Sequence, residues 1–492
     1  MRKPIGLLPA LLTVAAVTAT SAATANASTA PADPCPASAA LDVGRSDGPF
    51  YSTVSPFEHF GSNRTQVFPS TCTTEQLTGS ANPSIEARSS AEDFSTPYIS
   101  ATRNRGQLYV YGYGADAATE GGFVASVDPD TLEQRWRTRI LDPSPANGWS
   151  YPGVMLVHGN GFIYAVYGNV LVKLDPRTGD TLARRELPED PDGTGASYNG
   201  MVVLPDGRIA TKKIERGPCT TTPGAPASAA AIAGLFCSVA NALPSEIVIV
   251  SPRNLRVIST VVPPEPITGR ITAGTTDGRT YIYGAGRNDL VRFRYRHGEL
   301  SLDRGWGPVE YRTGSQEPGT GPGLLGNWVV VQTNFKAATE PMTVTAVSAR
   351  DSDRVFRIRP FPNSAGSWIV SKAALDQRTH TIVTHDTSAG KMAAIHLDPK
   401  RGLSVRWRKP LRSLSFSALV GPASSREIVI PDSSSGSDEV VWLDERTGAE
   451  HARSQPLAVG PAPGNIVIPG FGGRFYYTSA AGTLWELRPV AP

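Results

Sequence analysis

The chain has four cysteines in 492 residues, none adjacent to another and none in a Cys-x-x-Cys pair, so neither a zinc ligand set nor a redox dithiol motif is written into it. Charge of one sign is also lacking. The formal net charge is +3, falling to +1 once Arg2 and Lys3 are set aside, which leaves no electrostatic footprint for nucleic acid. Beyond Val17 no segment approaches about 18 unbroken apolar residues, so nothing in the body of the chain reads as a membrane-spanning helix. The glycine-rich stretch Gly319-Thr320-Gly321-Pro322-Gly323 is not followed by Lys-Ser or Lys-Thr and does not open a helix. It therefore lacks the context of a phosphate cradle.

What is present begins with a leader. Arg2 and Lys3 precede an apolar run from Ile5 to Val17, and small residues end in Ala25-Asn26-Ala27. This is the pattern of a signal peptide over residues 1–27, cleaved near Ala27, and it makes a secreted, extracellular protein the expectation. In that compartment an even number of cysteines favours disulfides. Sequence proximity favours Cys35 with Cys72 and Cys219 with Cys237 among the three possible connectivities.

One phrase recurs along the chain: a hydrophobic strand, Asp-Pro, a turn with Gly, then a charged strand. It appears at Val127-Asp128-Pro129, Leu174-Asp175-Pro176 to Gly179, Leu397-Asp398-Pro399 to Gly402 and, with Glu in place of Pro, at Leu443-Asp444-Glu445 to Gly448. Asp128 and Asp175 stand 47 residues apart, Asp398 and Asp444 46 apart, a period of a β-repeat array. Each unit reads as four short strands joined by tight turns, which is one propeller blade. Second strands are expected to start near Leu108, Phe162, Arg208, Thr280, Trp328, Thr381, Glu427 and Arg474. The fold expected for residues 96–492 is thus all-β, an eight-bladed β-propeller of four-stranded antiparallel blades. Seven stay open because the unit from Asn327 to Phe361 has lost the Asp-Pro turn.

Residues 28–95 are rich in Ser, Thr, Ala and Pro, with an aromatic patch at Phe50, Tyr51, Phe57 and Phe60. They read as an extended arm pinned by Cys35 and Cys72 and wrapped on the main body. The last unit ends with its third strand, Thr483 to Leu487, leaving too little chain for a fourth. An open sheet edge is a liability, so the arm is expected to supply the missing outer strand, with Thr65 to Ser70 as the candidate. The stretch 216–245 is an insertion with an Ala-rich piece, Ala227 to Leu235, framed by Cys219 and Cys237: a lid, a partner contact or tolerated decoration.

The segments Val124 to Trp136, Leu171 to Thr181 and Ala393 to Trp407 resemble the PQQ-like, or quinoprotein-type, β-propeller repeat, in which an Ala-x-Asp-x-x-Thr-Gly-x-x-x-Trp phrase closes each blade. Trp136 and Trp407 keep the tryptophan position, while the places after Gly179 and Gly448 hold other residues. The resemblance implies an eight-bladed ring. It carries over no cofactor, because the PQQ dehydrogenases share an adjacent cysteine pair that this chain lacks, and no cofactor is expected.

In a propeller the loops from outer strand to next inner strand, and from second to third strand, gather on one face, where ligands are held on a rigid scaffold. On that face the sequence places Trp149, Tyr151, Tyr198, Asn199, Arg270, Glu317, Trp368 and Phe416, aromatic faces and polar atoms suited to a sugar or peptide. The plain alternative is that these aromatics cap the blade cores. His385 and Asp386 sit where a second strand meets its loop, but neighbours in a strand point to opposite sides. His158 follows an inner strand and belongs to the other face. The loop Asp432 to Asp438 is oxygen-rich but lacks calcium-loop spacing, and no metal is expected. The sequence thus points to a secreted, non-catalytic, monomeric propeller for a small-molecule, glycan or protein ligand, with no nucleic acid or membrane partner. The alternative is an extracellular polysaccharide lyase or hydrolase using His385, Arg270 and Glu317 at the same face, with PQQ-dependent oxidation a third reading.

Overall fold

Short runs of β-branched and aromatic residues, cut by Gly and Asp turns, fold here into antiparallel meanders repeated eight times. The computed structural model describes residues 33–44, 48–91, 94, 96–113, 121–141, 152–188, 197–214, 244–267, 269–334, 339–369, 371–459, 465–479 and 481–492.

Blade one runs from its inner strand Thr96–Thr102 through Leu108–Tyr113 and Gly122–Val127 to the outer strand Gln134–Leu141. Blade two is Pro152–Val157, Ile163–Tyr167, Val170–Leu174 and Thr181–Glu186; blade three is Ser197–Val203, Ile209–Ile214, Glu246–Val250 and Val257–Val261. Blade four is Thr272–Thr276, Arg279–Ala285, Asp289–Arg296 and Glu299–Leu302, and blade five Gly323–Leu325, Trp328–Gln332, Val344–Ser348 and Val355–Ile358. Blade six is Ala374–Asp376, Thr381–Asp386, Lys391–Asp398 and Gly402–Pro410, and blade seven Ala418–Val420, Glu427–Asp432, Ser437–Asp444 and Glu450–Arg453. Every second strand begins within one residue of its expected start, and the count is eight, not seven.

The ring closes because each neighbouring pair of blades shares one apolar core. Blades one to three pack around Tyr109, Leu156, Tyr164 and Val203. Further shared cores join three to four, four to five, five to six, six to seven and seven to eight. Leu108 and Val110 then meet Tyr476 and Leu484, returning blade eight to blade one. Second strands such as Ile163–Tyr167 are buried throughout, because each lies between two neighbouring blades. Outer strands such as Gln134–Leu141 alternate between half-buried and exposed residues over most of their length, with one face on the next blade and one on water.

The repeated aspartate is a turn device. Asp175 Oδ1 accepts the Arg177 N–H at 2.7 Å, and Asp398 Oδ1 accepts those of Lys400 and Arg401 at 2.7 and 3.0 Å. In blade five, where the Asp-Pro phrase is missing, Ser348 Oγ accepts the Arg350 and Asp351 N–H groups at 3.2 Å and does the same work. The turn glycine has a second role. Gly448 has φ +74, and a Cβ there would lie 2.9 Å from the ring of Trp407, which reaches over from the outer strand of blade six. Trp407 Nε1 donates to Glu445 O at 2.9 Å. Gly179 stands in the same relation to Trp136 of blade one. The tryptophan of one blade thus seats on the glycine turn of the next. Gly448→Ala should cost about 2 kcal/mol from positive φ and lost seating together. Gly278→Ala, at φ +72 with no atom within 4 Å of the added Cβ, should cost only the backbone part. Urea midpoints at unchanged slope measure both.

Blade eight is built from both ends of the chain. Ile468–Pro469, Phe475–Thr478 and Leu484–Val490 form three strands, and Ser84–Ser89 of the arm adds the outer one, antiparallel to Leu484–Val490. The arm closes the ring as expected, but not through Thr65 to Ser70. That stretch lies at the axis, where Val67–Phe68 pairs in parallel with Leu419 and Val420 on the inner strand of blade seven. The physical reason is polarity. Ser84–Ser89 alternates exposed and half-buried residues, as an outer strand does, whereas Phe68 is fully buried and Gln66 places both backbone and side chain on blade seven.

Candidate functional site

The axial channel is filled by the arm. Residues 49–68 make hydrogen bonds to the inner strand of every blade. Thr102 of blade one donates its N–H to Ser55 O at 2.8 Å, and Val157 of blade two to Pro56 O at 2.8 Å. In blade three Val203 N–H donates to Ser62 Oγ at 2.9 Å. Ala273, Leu324, Leu375 and Leu419 of blades four to seven donate to the carbonyls of Ser62, Asn63, Thr65 and Gln66 at 2.8 to 2.9 Å. Ser55 Oγ donates to Pro469 O of blade eight at 2.5 Å. Both ends of this plug lie on the turn face, where the Cys35–Cys72 disulfide joins them across a separation of 37 residues. Beyond it, Thr74 gives its N–H and hydroxyl to Glu427 at 2.8 and 2.7 Å before the arm runs to blade eight.

At its inner end the plug carries charge. Glu58 Oε1 is 2.9 Å from Arg64 Nη1 and 3.0 Å from Arg270 Nε, all buried. Arg64 also donates to Ile271 O at 2.7 Å and Met201 O at 3.1 Å. Arg270 and Phe416, from the loop-face ends of blades four and seven, meet here: the Phe416 ring lies 4.8 Å from His59 and 5.5 Å from the Arg270 guanidinium. Gly200, at φ +71, allows this approach, because a Cβ there would stand 3.0 Å from Arg270 Cβ. Lys372 Nζ donates to Gln66 Oε1 at 2.8 Å and Ala373 O at 2.7 Å. Burial, with Arg64, Lys372 and Arg270 nearby, holds His59 well below the usual histidine range. Burial and Arg64 push Lys212 and Lys372 well below the usual lysine range. This centre ties the plug to the ring and offers no base to solvent.

The other residues singled out in the sequence take separate places. Tyr198 is buried with its hydroxyl on Pro188 O at 2.7 Å, and Asn199 is buried opposite Lys212. Glu317 is half-buried, its N–H on Asn334 Oδ1 at 3.0 Å. Trp368 is half-buried at the loop face and donates its N–H to Asp386 Oδ1 at 3.3 Å. His385 is buried, Nε2 3.1 Å from Ser371 Oγ, while Asp386 turns the other way to accept from Ser388 and Ala389 at 3.1 Å. No hydrogen bond or ion pair among the described residues joins His385, Arg270 and Glu317. His158 lies on the turn face, Nε2 2.7 Å from Gly207 O. Asp432 pairs with Arg453 at 3.1 Å, and Asp438 accepts from Tyr477, so both aspartates of the oxygen-rich loop are engaged. Among the described residues no group of three or more His, Cys, Asp or Glu side chains is arranged to hold a metal. Trp149, Tyr151, Cys219, Cys237 and the Ala227 to Leu235 piece lie outside the described residues.

Burial holds His385 at about 4, below its ordinary 6.5. A depressed histidine binds its proton in the unfolded state first, so the protein should lose stability as pH falls from 6.5 to 4, on the order of 3 kcal/mol. Denaturation at pH 7 and pH 4.5 should show this loss shrink in His385→Gln.

No protein-family model matches the chain, and no curated protein matches it in sequence. Solved structures do match in shape. A europium-containing methanol dehydrogenase aligns over 88% of this chain and 90% of its own, with TM-score 0.55 and 10% identity. The Dos1 propeller aligns over 84% and 95%, with TM-score 0.51 and 8% identity. A quinohemoprotein alcohol dehydrogenase from Comamonas testosteroni covers 88% and 80%, at TM-score 0.45 and 12% identity. At such identities the likeness concerns the fold alone, that of a β-propeller.

Proposed function

We propose that this protein is an exported, monomeric propeller that binds a glycan, peptide or protein partner at its loop face and carries out no chemistry of its own. The observation that carries this reading is the plug. With residues 49–68 bonded to all eight inner strands, the loop face is a platform with a sealed floor, and the charged groups beneath it are spent on holding that floor. Trp368, half-buried beside the Asp386 turn, is the aromatic contact of the platform. Export is supported by the leader and by the Cys35–Cys72 disulfide, a bond that persists in oxidising compartments.

The test is a glycan and peptide array probed with the full chain, followed by incubation of each ligand found. Saturable binding that weakens about tenfold in Trp368→Ala, the scale of a lost aromatic contact, with the ligand recovered unchanged, is the expected result. Cleavage or oxidation of the ligand would refute the reading.

A further inference from the structure

On the turn face, opposite the platform, the plug does not fill the mouth of the ring. A cleft of about 500 Å³ remains between the arm and the hairpins of blades six and seven. Its apolar wall comes from half-buried Phe50, Phe60 and Val67, and its polar wall from Asp376, Arg378 and Arg426. We infer that this cleft is a second ligand site, for a small aryl or acyl monocarboxylate whose charged end lies on Arg378 and whose body lies against Phe50, Phe60 and Val67.

The charges lead to that class. Asp376 and Arg426 are buried and satisfy each other, Nε to Oδ2 at 2.7 Å, and Arg426 also donates to Gly421 O. Asp376 Oδ1 accepts the Arg378 N–H at 2.8 Å, which turns the hairpin so that the Arg378 side chain lines the cleft. The Arg378 guanidinium is exposed and has no hydrogen bond or ion pair with any described residue. A single fork-shaped cation above an apolar wall matches one carboxylate on an apolar body. The volume is that of an ordinary small-molecule site.

A buried carboxyl makes the site sensitive to pH. Glu445 is faced by Asp376, Thr379, Arg426 and Arg406; burial, then the charge of Asp376, pushes it up to about 7. Below that pH Glu445 is neutral, and Asp376, Arg406, Arg426 and Arg378 together are net positive. Above it Glu445 ionises and lowers that positive charge by one, so affinity for an anion falls as pH rises.

Isothermal titration of the full chain with phenylacetate and hexanoate tests the site, with phenylacetamide and hexan-1-ol as uncharged counterparts. The carboxylates should bind one to one at pH 6, at least tenfold more tightly than their counterparts. Arg378→Gln should remove that advantage and Arg378→Lys restore part of it. Affinity should fall severalfold at pH 8, and Glu445→Gln should abolish the fall. No saturable binding, counterparts binding as tightly, or indifference to Arg378→Gln each overturns the inference. Arg378 is exposed, so its variants keep the fold, and binding at the loop face is untouched by them; the two sites therefore fail separately.

Discussion

A chain lacking residues 28–95 is expected to yield no folded monomer. The truncation takes away the plug, whose bonds reach all eight inner strands, and the outer strand of blade eight. At about 1 kcal/mol net for each buried hydrogen bond, the plug bonds alone are comparable with the whole stability of an ordinary domain. Leu484–Val490 would become an open edge, inviting association with other chains. Size exclusion and circular dichroism of the truncated protein should show aggregate or unfolded chain. A monomeric, cooperatively melting truncation would show that the ring stands without its arm.

The second large effect is expected at Arg64. Arg64→Met removes the bonds to Ile271 O and Met201 O and leaves Glu58 with only one of its two close cations. Breaking a buried pair in this way costs about 3–5 kcal/mol. Arg64→Lys should recover little, because an ammonium cannot reach three acceptors set around a planar fork. In the double variant with Glu58→Gln the two losses should fall short of their sum, as coupling requires. Urea midpoints decide the matter; a loss under about 1 kcal/mol for Arg64→Met would mean that the plug is held by its backbone alone.

The ring was legible because its signals are local. Asp175, Asp398 and Asp444 mark turns through their own side chains, and strand runs such as Ile163–Tyr167 need only sequence to be recognised. Even the missing fourth strand of blade eight showed as a shortage of chain after Leu487. Which part of the arm fills that place was not legible, since Ser84–Ser89 has no strong strand composition and wins it by register against Leu484–Val490. The plug left fainter marks: five aromatics and the ionisable Glu58, His59 and Arg64 in a stretch otherwise rich in Ser, Thr and Pro. Their meaning depends on acceptors such as Ile271 O and Met201 O, more than a hundred residues away. The role of Ser348 was missed for a simpler reason: a hydroxyl does there what an aspartate does elsewhere.

The pairing of Ser84–Ser89 with Leu484–Val490 sets the order in which this molecule can be made. Arg88 and Glu486, bonded across that seam, are 398 positions apart. The half of the clasp that leaves the ribosome first must wait, unpartnered, until Leu484–Val490 has been added. Contacts so distant in sequence make for slow closure. A nascent chain halted between Arg453 and Leu484 holds seven blades and no means of locking them.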